Sequence, residues 1–151
     1  MIQRIQTIYL LFASIFMGIA LFAPIATFTT GSVEWTLSAF SLSTDGKSVS
    51  TVWLGILMLA ATILPLVNIF LFKKRQLQVR LCGIEGVLLL GVIVFIVIYY
   101  FLAERFLGAA VGSQVFGWAS PMPIVSVILT LLAGRAIYKD EVLVRSLDRI
   151  R

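Results

Sequence analysis

The chain has 151 residues, of which 60% are hydrophobic and 13% charged, and its mean hydropathy is +1.06. Soluble globular domains carry roughly 45 to 50% apolar and about 25% charged residues, so this composition excludes an ordinary soluble protein and indicates an integral membrane protein. The net charge of +5 would also suit a nucleic-acid-binding protein, but the cations flank apolar segments instead of covering a folded face, so we expect no nucleic-acid partner.

The first apolar segment, residues 7–26, follows a short polar start that contains Arg4 and Gln6. A cleavable signal peptide has an apolar region of about 7 to 15 residues and small residues just before its cleavage site. This segment has the length of about 20 residues that crosses a bilayer, and Pro24 stands where such a site needs a small residue. We therefore predict a membrane-spanning helix.

A polar loop rich in Thr and Ser, residues 27–50, separates the first two apolar segments. Its weak alternation, with tight-turn signals at Gly31 and Asp45-Gly46, predicts a small β-hairpin or meander on the outer face. An isolated hairpin is marginal in water, so we expect Trp35 to pack against the helix ends. A ligand-binding lid is the functional alternative for this loop.

The second apolar segment, residues 52–72, predicts a spanning helix with Asn68 one turn from its inner end. A basic inner hairpin, residues 73–80, comes next, and its cations are Lys73, Lys74, Arg75 and Arg80. Cations are costly in hydrocarbon, and short cationic loops stay on the cytoplasmic side of a membrane. This hairpin therefore sets the predicted orientation of the whole chain.

The third apolar segment, residues 81–102, contains Glu85, the only acidic residue inside any of these segments. At a rise of about 1.5 Å per residue, Glu85 lies roughly 6 Å below the cytoplasmic boundary, where burial costs less than at the bilayer centre. A carboxyl group inside a membrane is a functional candidate by default. We predict that Glu85 contacts a cation or an amide donor, most plausibly Arg4, Arg80 or Arg135.

An outer loop, residues 103–117, leads to the fourth apolar segment, residues 119–138, and to a charged tail, residues 139–151. Apolar residues recur at helical spacing in the tail, which predicts an amphipathic continuation of the last helix. Such a tail favours contact with anionic lipid at the cytoplasmic face, and a docking helix for a protein partner is the alternative. The candidate lipid or partner contacts are Lys73, Lys74, Arg75, Arg80, Arg145, Arg149 and Arg151.

Small residues within the segments predict where helices meet. Gly83, Gly86 and Gly91 leave room for close helix approach, and Ser126 and Thr130 fall on one face of the fourth segment. We interpret all five as packing residues.

The distribution of Lys and Arg predicts the topology. Ten of the twelve lie in segments assigned to the inside, and only Lys47 and Arg105 lie outside. Because positive residues stay in the cytoplasm, we expect both termini there and an even number of spans. The predicted fold class is an all-α integral membrane protein: a single-domain four-transmembrane-helix bundle over residues 1–151, N-in and C-in, with a small outer-face β-hairpin between spans 1 and 2.

The most recognisable segments of the chain are its cytoplasmic ones: MIQRIQTIYL at residues 1–10, FKKRQLQVRL at 72–81, and RAIYKDE followed by LVRSLDRIR in 135–151. In these segments the chain resembles an uncharacterised family of short four-span inner-membrane proteins of the Bacteroidota, domain-of-unknown-function family 4293. The resemblance covers essentially the whole chain. It implies the fold and a location in the bacterial inner (cytoplasmic) membrane, but no activity and no site.

Residues suited to catalysis are scarce in the predicted spans. The chain has no histidine, Cys82 is its single cysteine, and Glu85 is the one carboxylate in the spans, so neither a catalytic triad nor a zinc site nor a paired-cysteine redox centre can be built there. We therefore expect no catalytic residue, no metal and no cofactor, and a protein that is not an enzyme.

Two functions from different classes remain. The first is a non-catalytic integral membrane scaffold or accessory subunit of a bacterial inner-membrane complex, whose bundle is locked by a buried polar layer of Arg4, Gln6, Asn68, Glu85 and Arg135. Its expected partners are the lipid bilayer and either another protein or a second copy of the chain. The alternative is a small proton-coupled transporter or exporter that acts as a dimer through Glu85. A Glu85 side chain that lined an open aqueous cavity, with no basic neighbour, would favour the alternative.

Overall fold

The computed structural model describes residues 3–31, 33–44, 46–71, 74–107 and 111–148. In chain order these residues form helix α1 (Gln3–Phe22), strands β1 (Ala26–Thr30), β2 (Val33–Leu37), β3 (Ser41–Thr44) and β4 (Lys47–Ser50), helices α2 (Val52–Phe70) and α3 (Arg75–Leu107), strand β5 (Val111–Phe116) and helix α4 (Met122–Asp148). These four helices are long and apolar enough to cross a membrane. They correspond to the four predicted spans.

The helices pack in a ring in which α1 contacts α2 and α4, and α3 contacts the same two helices. The centre is apolar, and Met17, Met58 and Leu89, from three different helices, are fully buried there. The outward faces are also apolar, with Ile56 and Val87 among many large exposed side chains. Helices that are apolar on all sides are typical of membrane spans.

The predicted all-α fold class is wrong, because the chain also forms a five-stranded antiparallel sheet with strand order β4-β3-β2-β1-β5. The expected small hairpin is part of this larger sheet, to which the second outer loop contributes β5. Strand β5 pairs with β1, where Gln114 lies opposite Phe28. After pairing with β2, strand β1 would otherwise keep a row of unpaired backbone groups, and β5 satisfies them. We call the side of the molecule that carries the sheet the outer side.

Two glycines turn the chain where the sequence predicted tight turns. Gly31, with φ of 63°, joins β1 to β2, and Gly46, with φ of 91°, joins β3 to β4. Both angles lie in the left-handed region that glycine adopts without a steric penalty. Asp45, the other half of the second turn signal, lies outside the described residues.

The inner face of the sheet packs on the outer end of α3. The rings of Phe28 and Tyr100 lie 5.2 Å apart between centroids, and Trp35 meets Phe106 edge-on at 6.2 Å. The Tyr100 hydroxyl also donates a hydrogen bond to Oε1 of Gln114 in β5. Helix α3 has 33 residues, more than the roughly 20 that a bilayer core needs, and its last turns support the sheet.

The helix bounds differ from the predicted segments. Helix α1 ends at Phe22 instead of residue 26, because Pro24 disfavours helical geometry in the residue before it. The basic hairpin is shorter than predicted, since α3 already begins at Arg75. Helix α4 continues to Asp148, so the described part of the charged tail extends the last helix.

Candidate functional site

The side chains predicted to form an inner polar layer do not all come together. Gln6, Asn68 and Glu85 are buried, with exposed fractions of 7%, 0% and 0%. Arg135 is exposed and does not belong to the buried set, and the side chain of Arg4 lies outside the described part of the molecule. The buried polar groups are therefore amides and a carboxyl group.

The amide of Asn68 joins the inner end of α2 to the start of α3. Its Nδ2 donates to the backbone oxygen of Gln78 at 3.4 Å and to Sγ of Cys82 at 3.2 Å. In return, Nε2 of Gln78 donates to the backbone oxygen of Asn68 at 2.9 Å. This oxygen lies in the last turn of α2 and also accepts a hydrogen bond of 3.2 Å from the backbone amide of Leu71, so the exchange adds a second bond at the helix end and fixes the connection.

The carboxyl group of Glu85 faces α4. Its Oε1 accepts a hydrogen bond of 2.7 Å from the hydroxyl of Thr130, and both residues are fully buried. Among the described residues this donor is a hydroxyl and not the predicted cation or amide. Arg80 and Arg135 are both exposed, and the side chain of Arg4, the third predicted cation, lies outside the described part of the molecule. The contact ties α3 to α4 at the inner half of the bundle.

Two further hydroxyls bond across helices at the level of the bundle centre. Ser14 on α1 donates to the backbone oxygen of Thr62 on α2 at 2.8 Å, and Ser126 on α4 donates to that of Ala13 on α1 at 3.1 Å. The contacts of Asn68 join α2 to α3, and that of Glu85 joins α3 to α4. With these included, a side-chain hydrogen bond joins each of the four pairs of adjacent helices. In membrane proteins such bonds contribute about 0.6 kcal/mol each on average.

Three buried polar atoms in this region have no hydrogen-bond partner within the described residues. They are Oε2 of Glu85, Oδ1 of Asn68 and Nε2 of Gln6. We call Gln6, Asn68, Gln78, Cys82, Glu85 and Thr130 the buried polar cluster. Buried polar atoms usually have a hydrogen-bond partner, so these three atoms mark the positions at which the cluster is least complete.

The cations predicted to contact lipid or a partner are only partly described. Lys74 and Arg80 are exposed at the inner end of α3. Lys73, Arg149 and Arg151 lie outside the described residues, as do the side chains of Arg75 and Arg145.

Sequence reasoning missed two members of the cluster. Thr130 was expected to pack helices, yet it is the hydrogen-bond donor to Glu85. Gln78 was assigned to the basic hairpin, yet it is buried with an exposed fraction of 7%. Its sequence signal is its position ten residues after Asn68, across a short helix connection.

The cluster has the chemistry of a structural core. Its groups donate and accept hydrogen bonds between helices, and Cys82 is held as an acceptor by Asn68. Within the described ranges, no three His, Cys, Asp or Glu side chains come close enough to hold a metal ion.

Fold and cluster together define a four-helix protein of membrane-spanning length, tied internally by side-chain hydrogen bonds and covered on one side by a sheet from both outer loops. The chain belongs to the family described as Domain of unknown function (DUF4293), whose family model matches residues 2–150. No curated protein matches the chain by sequence.

Proposed function

We propose that this protein is a non-catalytic integral membrane scaffold or accessory subunit of a complex in a bacterial inner membrane. The observation that carries the proposal is the enclosure of Glu85: its exposed fraction is 0%, and its hydrogen-bond donor is Thr130 of the adjacent helix. A carboxyl group that exchanges protons with a transport pathway needs access to water. One that is closed between helices serves to hold them together.

The sheet supports the same function. It covers one end of the bundle, is built from both outer loops, and is fastened to α3 by aromatic contacts. A rigid surface of this kind, carried by an internally bonded bundle, is suited to holding other components in position. On the inner side, the exposed cations Lys74 and Arg80 are suited to anionic lipid or an acidic partner surface.

The proposal includes an orientation with both termini in the cytoplasm and the sheet outside. We expect a membrane-impermeant maleimide to label a Lys47→Cys variant on intact cells, and a Lys74→Cys variant only after lysis, because ten of the twelve Lys and Arg residues lie on the assigned inner side. The unsubstituted chain is the control, since its Cys82 is buried. Labelling of both variants from the same side would contradict the orientation.

The role of Glu85 can be tested with two variants. Thr130→Val should lower the free energy of unfolding by about 1–3 kcal/mol, because it leaves a buried carboxyl group without its described donor. Glu85→Gln should have a smaller effect, because the amide oxygen can still accept the Thr130 hydrogen bond. Unfolding is measured by tryptophan fluorescence in detergent, and the flux of ethidium, a permeant organic cation, in vesicles with an imposed pH gradient. We expect neither variant to change the flux.

The second candidate, a small proton-coupled exporter acting as a dimer through Glu85, is favoured by one observation. Oε2 of Glu85 has no hydrogen-bond partner within the described residues, so this oxygen can bind a proton without losing a hydrogen bond. In that case Glu85→Gln would abolish ethidium flux driven by the pH gradient and leave the unfolding transition unchanged. That result would overturn the scaffold proposal.

A further inference from the structure

The outer end of α3 rises beyond the expected hydrocarbon core. Arg80 is the last cation at the inner end of α3. If the hydrocarbon core begins after Arg80 and spans about 20 residues of the helix, it ends near residue 101. Phe106 lies more than one turn farther out, yet 63% of its side chain is exposed. Val49 on the facing strand β4 is 40% exposed. Among the described residues, a patch of apolar surface is therefore left uncovered between the sheet and the helix, outside the region that lipid tails cover.

This patch forms a groove with two connected parts. The deeper part is an apolar cleft of about 100 Å³, lined by Leu37 and Leu42 of the sheet and by Tyr99 of α3. The mouth encloses about 510 Å³ and is lined by Trp35 and Lys47 among others. Val49 and Phe106 line both parts, so the cleft and the mouth lie side by side along these two side chains. The volume of the mouth falls in the range of about 300–1,000 Å³ that is typical of small-molecule sites.

The polar groups of the groove lie at its mouth. Strand pairing places Lys47 opposite Thr44, at the free edge of the sheet. Within the described residues the Lys47 ammonium makes no ion pair or hydrogen bond. Thr30 also lines this mouth, and its hydroxyl is buried with no hydrogen-bond partner within the described residues. Glu34 comes directly before Trp35 in strand β2. Because neighbouring residues of a strand point to opposite faces, the Glu34 carboxylate lies on the face away from the groove and does not pair with Lys47.

We propose that this groove binds an anionic amphiphile: a molecule with one alkyl chain and a carboxylate or phosphate head group. The head group pairs with the ammonium of Lys47 at the mouth. The first part of the chain covers Val49 and Phe106, and the following methylene groups enter the cleft. A cation with no ion pair among the described residues, beside exposed apolar surface, fits this class better than a neutral lipid or a free inorganic anion.

The binding site is independent of the scaffold function. It requires only that the sheet and the outer end of α3 keep the observed packing, and the internal contacts of Glu85 have no part in it. Thr130→Val and Glu85→Gln at moderate temperature should therefore leave binding unchanged, so the two proposals fail separately.

The test is photocrosslinking in phosphatidylcholine nanodiscs with dodecanoic acid that carries a diazirine in mid-chain. We expect saturable labelling of peptides that contain Val49 or Phe106, identified by mass spectrometry. The methyl ester of the same probe has no charge and should label these peptides only weakly. Competition by unlabelled dodecanoate, and not by acetate or inorganic phosphate at equal concentration, would show that chain and head group are both needed.

Two charge variants make the test specific. Lys47→Gln should weaken saturable labelling about five- to tenfold, since it removes one charge-assisted contact. Arg105→Gln is the matched control, because it also removes an exposed outer cation but lies outside the groove, and it should bind like the unsubstituted chain. Equal labelling of Lys47→Gln and the unsubstituted chain, equal labelling by acid and ester, or labelling confined to lipid-facing helix surfaces would each overturn the proposal. Competition by acetate or phosphate alone would also overturn it, since it would indicate a site for small anions.

Discussion

Gly117→Ala should lower the free energy of unfolding by about 3 kcal/mol, the upper end of the usual cost of forcing extra atoms into a packed site. A Cβ atom at this position would overlap the backbone oxygen of Pro24 and press on that of Ile25. These are main-chain atoms of the connection between α1 and β1, so no side chain can rotate away to make room. The backbone itself must move.

Movement here would disturb the junction of both outer loops. The amide of Gly117 donates to the backbone oxygen of Ile25 at 2.8 Å, and the amide of Ile25 donates to that of Leu37 at 2.8 Å. These two bonds link the end of β5 to the start of β1, and β1 to β2. A displaced Gly117 backbone would therefore loosen β1, which lies between β2 and β5, as well as the entry to α4.

Thermal unfolding in detergent, followed by tryptophan fluorescence at one scan rate, measures the effect. Gly83→Ala is the matched control, because a Cβ atom there meets nothing within 4 Å and the residue lies in helix α3. Alanine is the better helix former, so this control should be as stable as the unsubstituted chain or more stable, by up to about 1 kcal/mol. Equal unfolding temperatures for the two variants would show that the contact at Gly117 is not tight.

The parts of the fold that local sequence determines were predictable. Four apolar segments of spanning length correspond to four helices, and turns occur at Gly31 and Gly46. Strand β5 was not predictable in the same way. Its residues 111–116 were assigned to an outer loop, and its partner β1 lies more than 80 residues earlier in the chain. Strand preference depends on the cross-strand neighbours, so a six-residue segment does not reveal its pairing.

The candidate site shows the same limit for side chains. Burial of a carboxyl group at residue 85 was predictable from its apolar neighbours. Its partner was not, because a hydroxyl on another helix can donate to a carboxyl oxygen just as an arginine can, and spacing along the chain does not say which residue lies opposite. Small residues also differ in what they face. A Cβ atom added at Gly91 would lie 3.5 Å from the side chain of Leu57, whereas one added at Gly86 would meet nothing within 4 Å. Periodicity places residues on a helix face but does not say which face meets a neighbour.

Phe28→Ala should destabilise the sheet by about 3–5 kcal/mol, the usual cost of deleting a buried aromatic ring. Phe28 is fully buried on the interior strand β1, among Trp35, Leu37 and Ala103, and it contacts the ring of Tyr100. Its loss leaves a cavity at the point where the sheet rests on α3. The sheet should then separate from the helix before the bundle unfolds.

Hydrogen exchange in detergent distinguishes this local effect from global unfolding. In Phe28→Ala, exchange should accelerate in β1, β2 and β5, whereas the buried parts of α1, α2 and α4 should keep their protection, because the helices are joined by their own contacts, such as those of Ser14 and Ser126. The control is Phe116→Ala on the same sheet. Phe116 also stacks on Tyr100, but 60% of its side chain is exposed, so the loss of burial is smaller. Equal acceleration in sheet and helices would mean that the sheet and the bundle unfold as one unit.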